Sequence, residues 1–240
     1  MSDRPLGGPG PEGPGSGGGS SGAPGWAGVS DWPLAGLRLT CREVSLRPVR
    51  EADLPALAAV LPADFEQDPR LEPFPGLSAE ADRRRLFYQG YWKSLGVWSP
   101  SAWVLHFAVA YRHELVGVQT LEAENFPALR TVDSASWLVP GVRGRGLGTA
   151  MRTAVLGLAF DRLGAVAAVS SAVAGNAASL GVSRRIGYAE NGAGLIVVPG
   201  GEVAELRNLR LTAEAWRASG QGRAVTVDGL APCLPWFGLH

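Results

Sequence analysis

Hydrophobic and polar positions divide the chain into alternating short elements from Val44 onward. In "CREVSLRPVR", Val44, Leu46 and Pro48 fall on every second position and predict a strand. "EADLPALAAVL" places Leu54, Leu57, Ala58 and Leu61 at helical spacing. A second helical stretch, about Ala79 to Leu95, is rich in aromatic and basic residues. "WVLHFAVAY" and "ELVGVQTLEA" are strand-like runs separated by the polar Arg112–Glu114, which predicts a hairpin. "TVDSASWLV" is expected as a fourth strand. "GTAMRTAVLGLAFDRL" is expected as a helix with Met151, Val155, Leu158 and Arg162 along one side. "AVAAVSSAV" supplies a fifth strand, "NAASLGVSRRIG" a short helix, and "GLIVVPGGEVAELRNLRL" two more strands. The order is mixed α and β with a strand–helix–strand crossover at its centre, and no internal repeat is visible.

The ends differ from this middle. Gly, Pro and Ser make up 21 of the first 30 residues without a three-residue period, so residues 1–30 are expected to be a disordered tail. Residues 31–43 form a lead-in, residues 44–217 the main domain, and residues 218–240 a hydrophobic extension expected to pack on the domain or against a dimer partner. Lys plus Arg equals Asp plus Glu at 22 each, so no global field draws the protein to nucleic acid or a membrane, and any anion must be recognised locally. The two cysteines, Cys41 and Cys233, match no metal spacing; they are expected as thiols in a reducing compartment or as a single bridge. No metal is expected. The lack of a basic-then-apolar N-terminus and of long apolar runs predicts a cytoplasmic protein.

One stretch carries chemistry. "WLVPGVRGRGLGTAMRTAVLGLAF" sets Gly144, Gly146 and Gly148 among Arg143, Arg145 and Arg152 just where a helix is expected to begin. A helix N-terminus exposes unpaired N–H groups and about half a positive charge. Glycines let a phosphate approach those groups closely. The loop lacks the Gly-Lys-[Ser/Thr] of a P-loop. It also has Thr149 where a dinucleotide fingerprint needs its last glycine. Read from the residues alone, a pyrophosphate cradle and a plain arginine-rich helix cap are equally open.

Neighbouring motifs separate the two. Arg143-x-x-Gly146-x-Gly148 resembles the Q/R-x-x-G-x-G/A pattern of the GNAT acetyltransferase superfamily. "AGNAASLGVSRRIGYAENG" and "LRNLRLTAEAW" are similar to segments of its branch containing the Rim-type ribosomal-protein N-terminal acetyltransferases. The resemblance spans about Val44 to Trp216. It implies an α/β GNAT fold whose mostly antiparallel sheet splays at the cofactor site, and an acyl-CoA-dependent N-acyltransferase. Acetyl-CoA would be the co-substrate, with an amine acceptor that is a protein N-terminus or a small molecule. It further implies that Trp137, Leu138 and Val139 offer backbone to the pantetheine arm, that Arg143, Gly144, Arg145, Gly146, Leu147, Gly148 and Thr149 hold the pyrophosphate, and that Asn176 lies near the cofactor.

Catalytic assignments follow in the same way: Ser179 would be the acid for the departing thiolate, and Asp133, where the branch often has glutamate, the base. Glu122, Glu124, His106, His113 and a water chain compete with Asp133. Asn176 and Gly187 also suit a helix N-cap and C-terminal turn, and Ser179 a solvent-facing position. The aromatics between Phe65 and Trp103 are read mainly as core, and Arg83, Arg84 and Arg85 as a solvated helix face. The alternative function, from a different class, is a GNAT-fold acyl-CoA-binding sensor or scaffold with weak catalysis. A homodimer is compatible with either reading.

Overall fold

A computed structural model describes residues 31–65, 73–198 and 201–239. The expected N-terminal tail therefore lies outside the described residues. Two sheets share the centre of the molecule. The larger runs β10-β1-β2-β3-β4-β6 and the smaller β5-β7-β9-β8. Their strands are β1 Arg38–Cys41, β2 Val44–Pro48, β3 Trp103–Tyr111, β4 Glu114–Ala123, β5 Thr131–Val132, β6 Ser136–Leu138, β7 Ala167–Val173, β8 Ala189–Val197, β9 Val203–Thr212 and β10 Val225–Asp228. All pairings are antiparallel except β5 with β7. The expected hairpin closes through Arg112 and His113, both with positive φ, the geometry a two-residue turn demands.

Helices cover both faces of the larger sheet. α1 (Leu54–Ala59) and α2 (Ala79–Gly96) bury Leu54, Leu57 and Tyr91 against Val49, Ala108, Val118 and Trp137. On the other face lies α4 (Leu147–Gly157), buried nearly all round as its apolar composition requires. It packs with α5 (Ala177–Ile186) and α6 (Ala213–Ser219) around Met151, Val155, Leu180, Ile186 and Trp216. A short α3 (Phe126–Leu129) follows β4.

The segments flanking the main pattern belong to the same core. β1 of the lead-in pairs with β10 of the C-terminal extension. A 3-10 helix at Ala231–Phe237 buries Cys233 and Phe237 completely, and Trp103 stands edge-on to Phe237 with centroids 4.9 Å apart. Trp32 meets Trp236 at 4.6 Å, and Trp98 donates from Nε1 to the Trp236 carbonyl at 3.1 Å. Both cysteines are free and buried.

Two elements depart from the alternation pattern. The expected strand 131–139 is divided: Thr131 and Val132 pair with Ala167 and Ala168 of β7, whereas Ser136–Leu138 pair with β4. The expected single face of the long helix also breaks. Leu158–Arg162 form a π-helical turn after α4, and the wider turn rotates Arg162 away from Met151 and Val155 and into solvent. No helix among the described residues is long and apolar enough to cross a membrane.

Candidate active site

The divided strand creates the site. β5 holds β7 only as far as Ala168, and a single bridge between Asp133 and Glu122 then hands the chain to β4. Beyond that point β6 and the remainder of β7 separate, which leaves an edge of each facing a wedge-shaped gap. Asp133 N–H and carbonyl both bond Glu122, the Ala135 carbonyl accepts from Thr120 N–H, and Val139 N–H donates to Val116. The antiparallel ladder thus turns the odd residues, Trp137 included, toward β4. Of the three residues expected to offer backbone here, Trp137 and Val139 are committed to β4, and Leu138 faces the open edge together with Ser136. Gly117 opposite Leu138 is obligatory, because a Cβ there would collide with the Trp137 carbonyl oxygen.

At the mouth of the gap stands the glycine loop. Gly144 and Gly146 adopt φ of 77° and 81°, a left-handed geometry costly for other residues, and Gly146 is the N-cap of α4. Gly148 packs against Val182 of α5, 3.4 Å from where a Cβ would sit. Among the described residues, no acceptor receives the backbone N–H groups of residues 144 to 149. Six consecutive N–H groups thus stand open at the positive end of an eleven-residue helix, an arrangement whose charge and geometry suit an anion.

The three arginines behave differently. Arg145 is exposed beside these N–H groups. Arg143 donates from Nε to the Leu138 carbonyl at 2.9 Å and from both Nη atoms to Asp64 at 2.6 and 2.8 Å, tying the glycine loop to the chain after α1. This pair raises the Arg143 pKa and holds the Asp64 carboxyl below its usual range. Arg152 adds no charge at the mouth. It is 4% exposed, and its Nη1 donates to Ser183 Oγ at 2.8 Å beneath the gap.

Asn176 caps α5, its Oδ1 accepting from Ser179 N–H at 3.0 Å, and Gly187 ends the helix in the left-handed region. Ser179 is half-buried in the first turn of α5, and no hydrogen bond engages its Oγ among the described residues. Ser183 Oγ donates to the Ser179 carbonyl at 3.2 Å, linking Arg152 to the same turn.

The acidic residues meet across the strands. Glu122 and Asp133 oppose each other in an antiparallel pair that exchanges both backbone hydrogen bonds, so their side chains share one face. Burial raises both pKa values, and for Glu122 the neighbouring Asp133 charge raises it further. Asp133 is partly relieved by Ser134 N–H, which donates to its Oδ1, and by the Arg152 charge. His106 lies one row along on the same face, paired with Thr120. Its Nδ1 is 3.2 Å from Thr120 Oγ1, its Nε2 has no partner among the described residues, and burial lowers its pKa to about 4. His113 sits exposed in the hairpin turn, away from this face.

Sequence reasoning did not single out Asp64, Ser134, Ser183 or Tyr188. Tyr188 was within a quoted motif, yet its burial near Arg152 and Asp133, which lifts its hydroxyl to about 12, depends on tertiary packing. No group of three or more His, Cys, Asp or Glu suited to a metal occurs among the described residues.

The family model "Acetyltransferase (GNAT) domain" matches residues 43–189. Solved structures share the fold at low sequence identity. A putative acetyltransferase from T. thermophilus aligns with TM-score 0.61 and 19% identity over 78% of this chain and 95% of that one. RimJ of Mycobacterium smegmatis, solved in complex with CoA-disulfide, gives TM-score 0.57 and 22% identity over 77% and 93%. Spermidine N-acetyltransferase from Vibrio cholerae, in complex with CoA and spermine, gives 0.57 and 14% over 73% and 98%. With the family model spanning more than half of the chain, and a splayed sheet with a glycine-capped helix at its opening, the chain belongs to the GNAT acetyltransferase family.

Proposed function

We propose that the protein is an acyl-CoA-dependent N-acyltransferase that transfers acetyl from acetyl-CoA to a primary amine in the cytoplasm. The observation that carries this reading is the row of six N–H groups at residues 144–149, unpaired among the described residues and opening on the gap between β6 and β7. The pyrophosphate would sit on these groups with Arg145 beside it, and the pantetheine arm would lie along the Ser136–Leu138 edge as an added strand. The Leu138 carbonyl is already taken by Arg143, which leaves its N–H and the Ser136 backbone for that pairing.

In the reaction the amine nitrogen attacks the thioester carbonyl; a C–N bond forms, the C–S bond breaks, and the thiolate leaves. The Glu122–Asp133 pair would accept the amine proton, its raised pKa values bringing it nearer to neutral pH. Ser179 Oγ, free of other bonds among the described residues, is the candidate donor to the thiolate. Asn176 would act by capping α5 and so fixing Ser179.

Calorimetric titration with acetyl-CoA and with ATP, on the native protein and on Arg145→Ala, tests the cofactor half. Selective binding of the thioester, weakened in the variant, supports it. Thiol release with an amine then separates turnover from the sensor or scaffold reading, which predicts binding without release. Unchanged turnover in Ser179→Ala would remove the acid assignment.

A further inference from the structure

A buried cation stands behind the gap between β6 and β7. Arg152 of α4 is 4% exposed, and a guanidinium keeps its proton even there. Such a charge is costly inside a protein unless an opposite charge and hydrogen bonds answer it. Its Nη1 donates to Ser183 Oγ at 2.8 Å, whereas its Nε has no partner among the described residues. Burial opposes the charge, and two groups favour it: Tyr188, at the entry to β8, and Asp133, where the chain passes from β5 to β6. Burial lifts the Tyr188 hydroxyl to about 12. Of these two groups, Asp133 is therefore the one that carries negative charge at neutral pH.

This cation treats the two facing acids unequally. Burial raises both, but Asp133 faces Arg152 and its Oδ1 accepts from Ser134 N–H at 2.6 Å. The charges acting on Glu122 among the described residues are Asp133 opposite it and Glu124 two positions along β4, both of its own sign. His106, on β3 along the same face, is neutral above about pH 4. When the pair holds one proton, that proton costs least on Glu122 and the negative charge costs least on Asp133.

The same guanidinium also reaches α5. A serine hydroxyl has one hydrogen, and because Ser183 Oγ accepts from Arg152 that hydrogen is left for the Ser179 carbonyl at 3.2 Å. Ser179 N–H is held in turn by Asn176 Oδ1 at 3.0 Å. Both backbone groups of Ser179 are thus fixed, one of them through Arg152.

Building on the acyltransferase reading, we propose that Arg152 is a positioning residue with two arms: its buried charge makes Asp133, rather than Glu122, the ionised member of the acidic pair that takes the amine proton, and through Ser183 it fixes the turn of α5 that carries Ser179.

The charge arm is tested without turnover. In the full-length protein labelled with carbon-13 at its side-chain carboxyls, NMR follows the titration of Asp133 and Glu122. The same titration is run on Arg152→Met and Arg152→Gln, two uncharged replacements of which either suffices if the other fails to fold, on Arg152→Lys, which restores the charge, and on Ser183→Ala. The proposal expects Asp133 to ionise at lower pH than Glu122 in the native chain. Its midpoint should move to higher pH in the uncharged variants, return toward the native value in Arg152→Lys and stay in place in Ser183→Ala. Thiol release from acetyl-CoA is then measured with phenethylamine, spermidine and a short peptide with N-terminal phenylalanine, using whichever is turned over fastest. The acid limb of kcat/KM should move with the Asp133 midpoint, and kcat/KM near neutral pH should fall at least about tenfold in the uncharged variants. Ser183→Ala should lower kcat at every pH without moving that limb. An Asp133 midpoint that ignores the loss of the Arg152 charge, or lies above that of Glu122 in the native chain, overturns the charge arm and leaves the acyltransferase reading intact. An unchanged kcat in Ser183→Ala overturns the second arm. Midpoints as expected with no thiol release to any of the three amines overturn the acyltransferase reading, and the positioning role with it.

Discussion

Burial keeps His106 uncharged in the fold down to about pH 4, whereas the unfolded chain takes up its proton near 6.5. Between those values the unfolded state binds more protons, so stability rises with pH and falls on acidification. The loss over that window should be roughly 3 kcal/mol. Thermal melting at several pH values should show it, and His106→Gln, which keeps a hydrogen-bonding atom but does not titrate, should flatten the slope. Gly117 makes a different demand. Its replacement by Ala drives a methyl into the Trp137 carbonyl and pushes β6 off β4. Urea denaturation should show a loss of roughly 1–3 kcal/mol, in the range of overpacked sites. Acetyl-CoA affinity should fall with it, because the displaced strand is the proposed pantetheine edge. The strand run through Gly117 was readable from alternation, but the collision was not, since it arises from a residue 20 positions away in sequence.

Among elements, the glycine loop separates charge that binds from charge that braces. Arg145 is exposed and joined to nothing among the described residues, so Arg145→Ala should leave the melting temperature unchanged. It should weaken acetyl-CoA about tenfold, the loss of one charge-assisted hydrogen bond of roughly 1.5 kcal/mol. The Arg143–Asp64 pair is a surface contact with side chains 40% and 66% exposed, and Asp64→Ala should change stability by less than about 1 kcal/mol. The loop and the helix behind it were legible, because glycine spacing and apolar periodicity are local. The Asp64 partner lies 79 residues from Arg143 and left no local trace. The division of 131–139 was equally hidden. Alternation reports which residues are buried, and Val132, Trp137 and Leu138 are buried whichever sheet they join. Likewise, the period of the long helix placed Arg162 on one side with Met151, Val155 and Leu158, and only the π-turn shows why it leaves them.

For the whole molecule, the C-terminal extension is part of the core rather than an appendage. Phe237 is fully buried against Trp103, and Phe237→Ala should cost about 3–5 kcal/mol, detectable as a shift of the urea midpoint without change in the denaturant slope. Hydrophobicity foretold that this segment packs somewhere, while its pairing with β1 came only with the fold. That pairing also orders events during synthesis. Cys41 meets Val225, so β1 waits for 184 further residues before its outer edge is covered. At about 5–20 residues per second, the nascent sheet spends on the order of 10–40 s with that edge open. During this interval a strand from another chain can take the place of β10, so slower translation late in the message should favour aggregation, and chaperone occupancy should peak just before the final segment emerges.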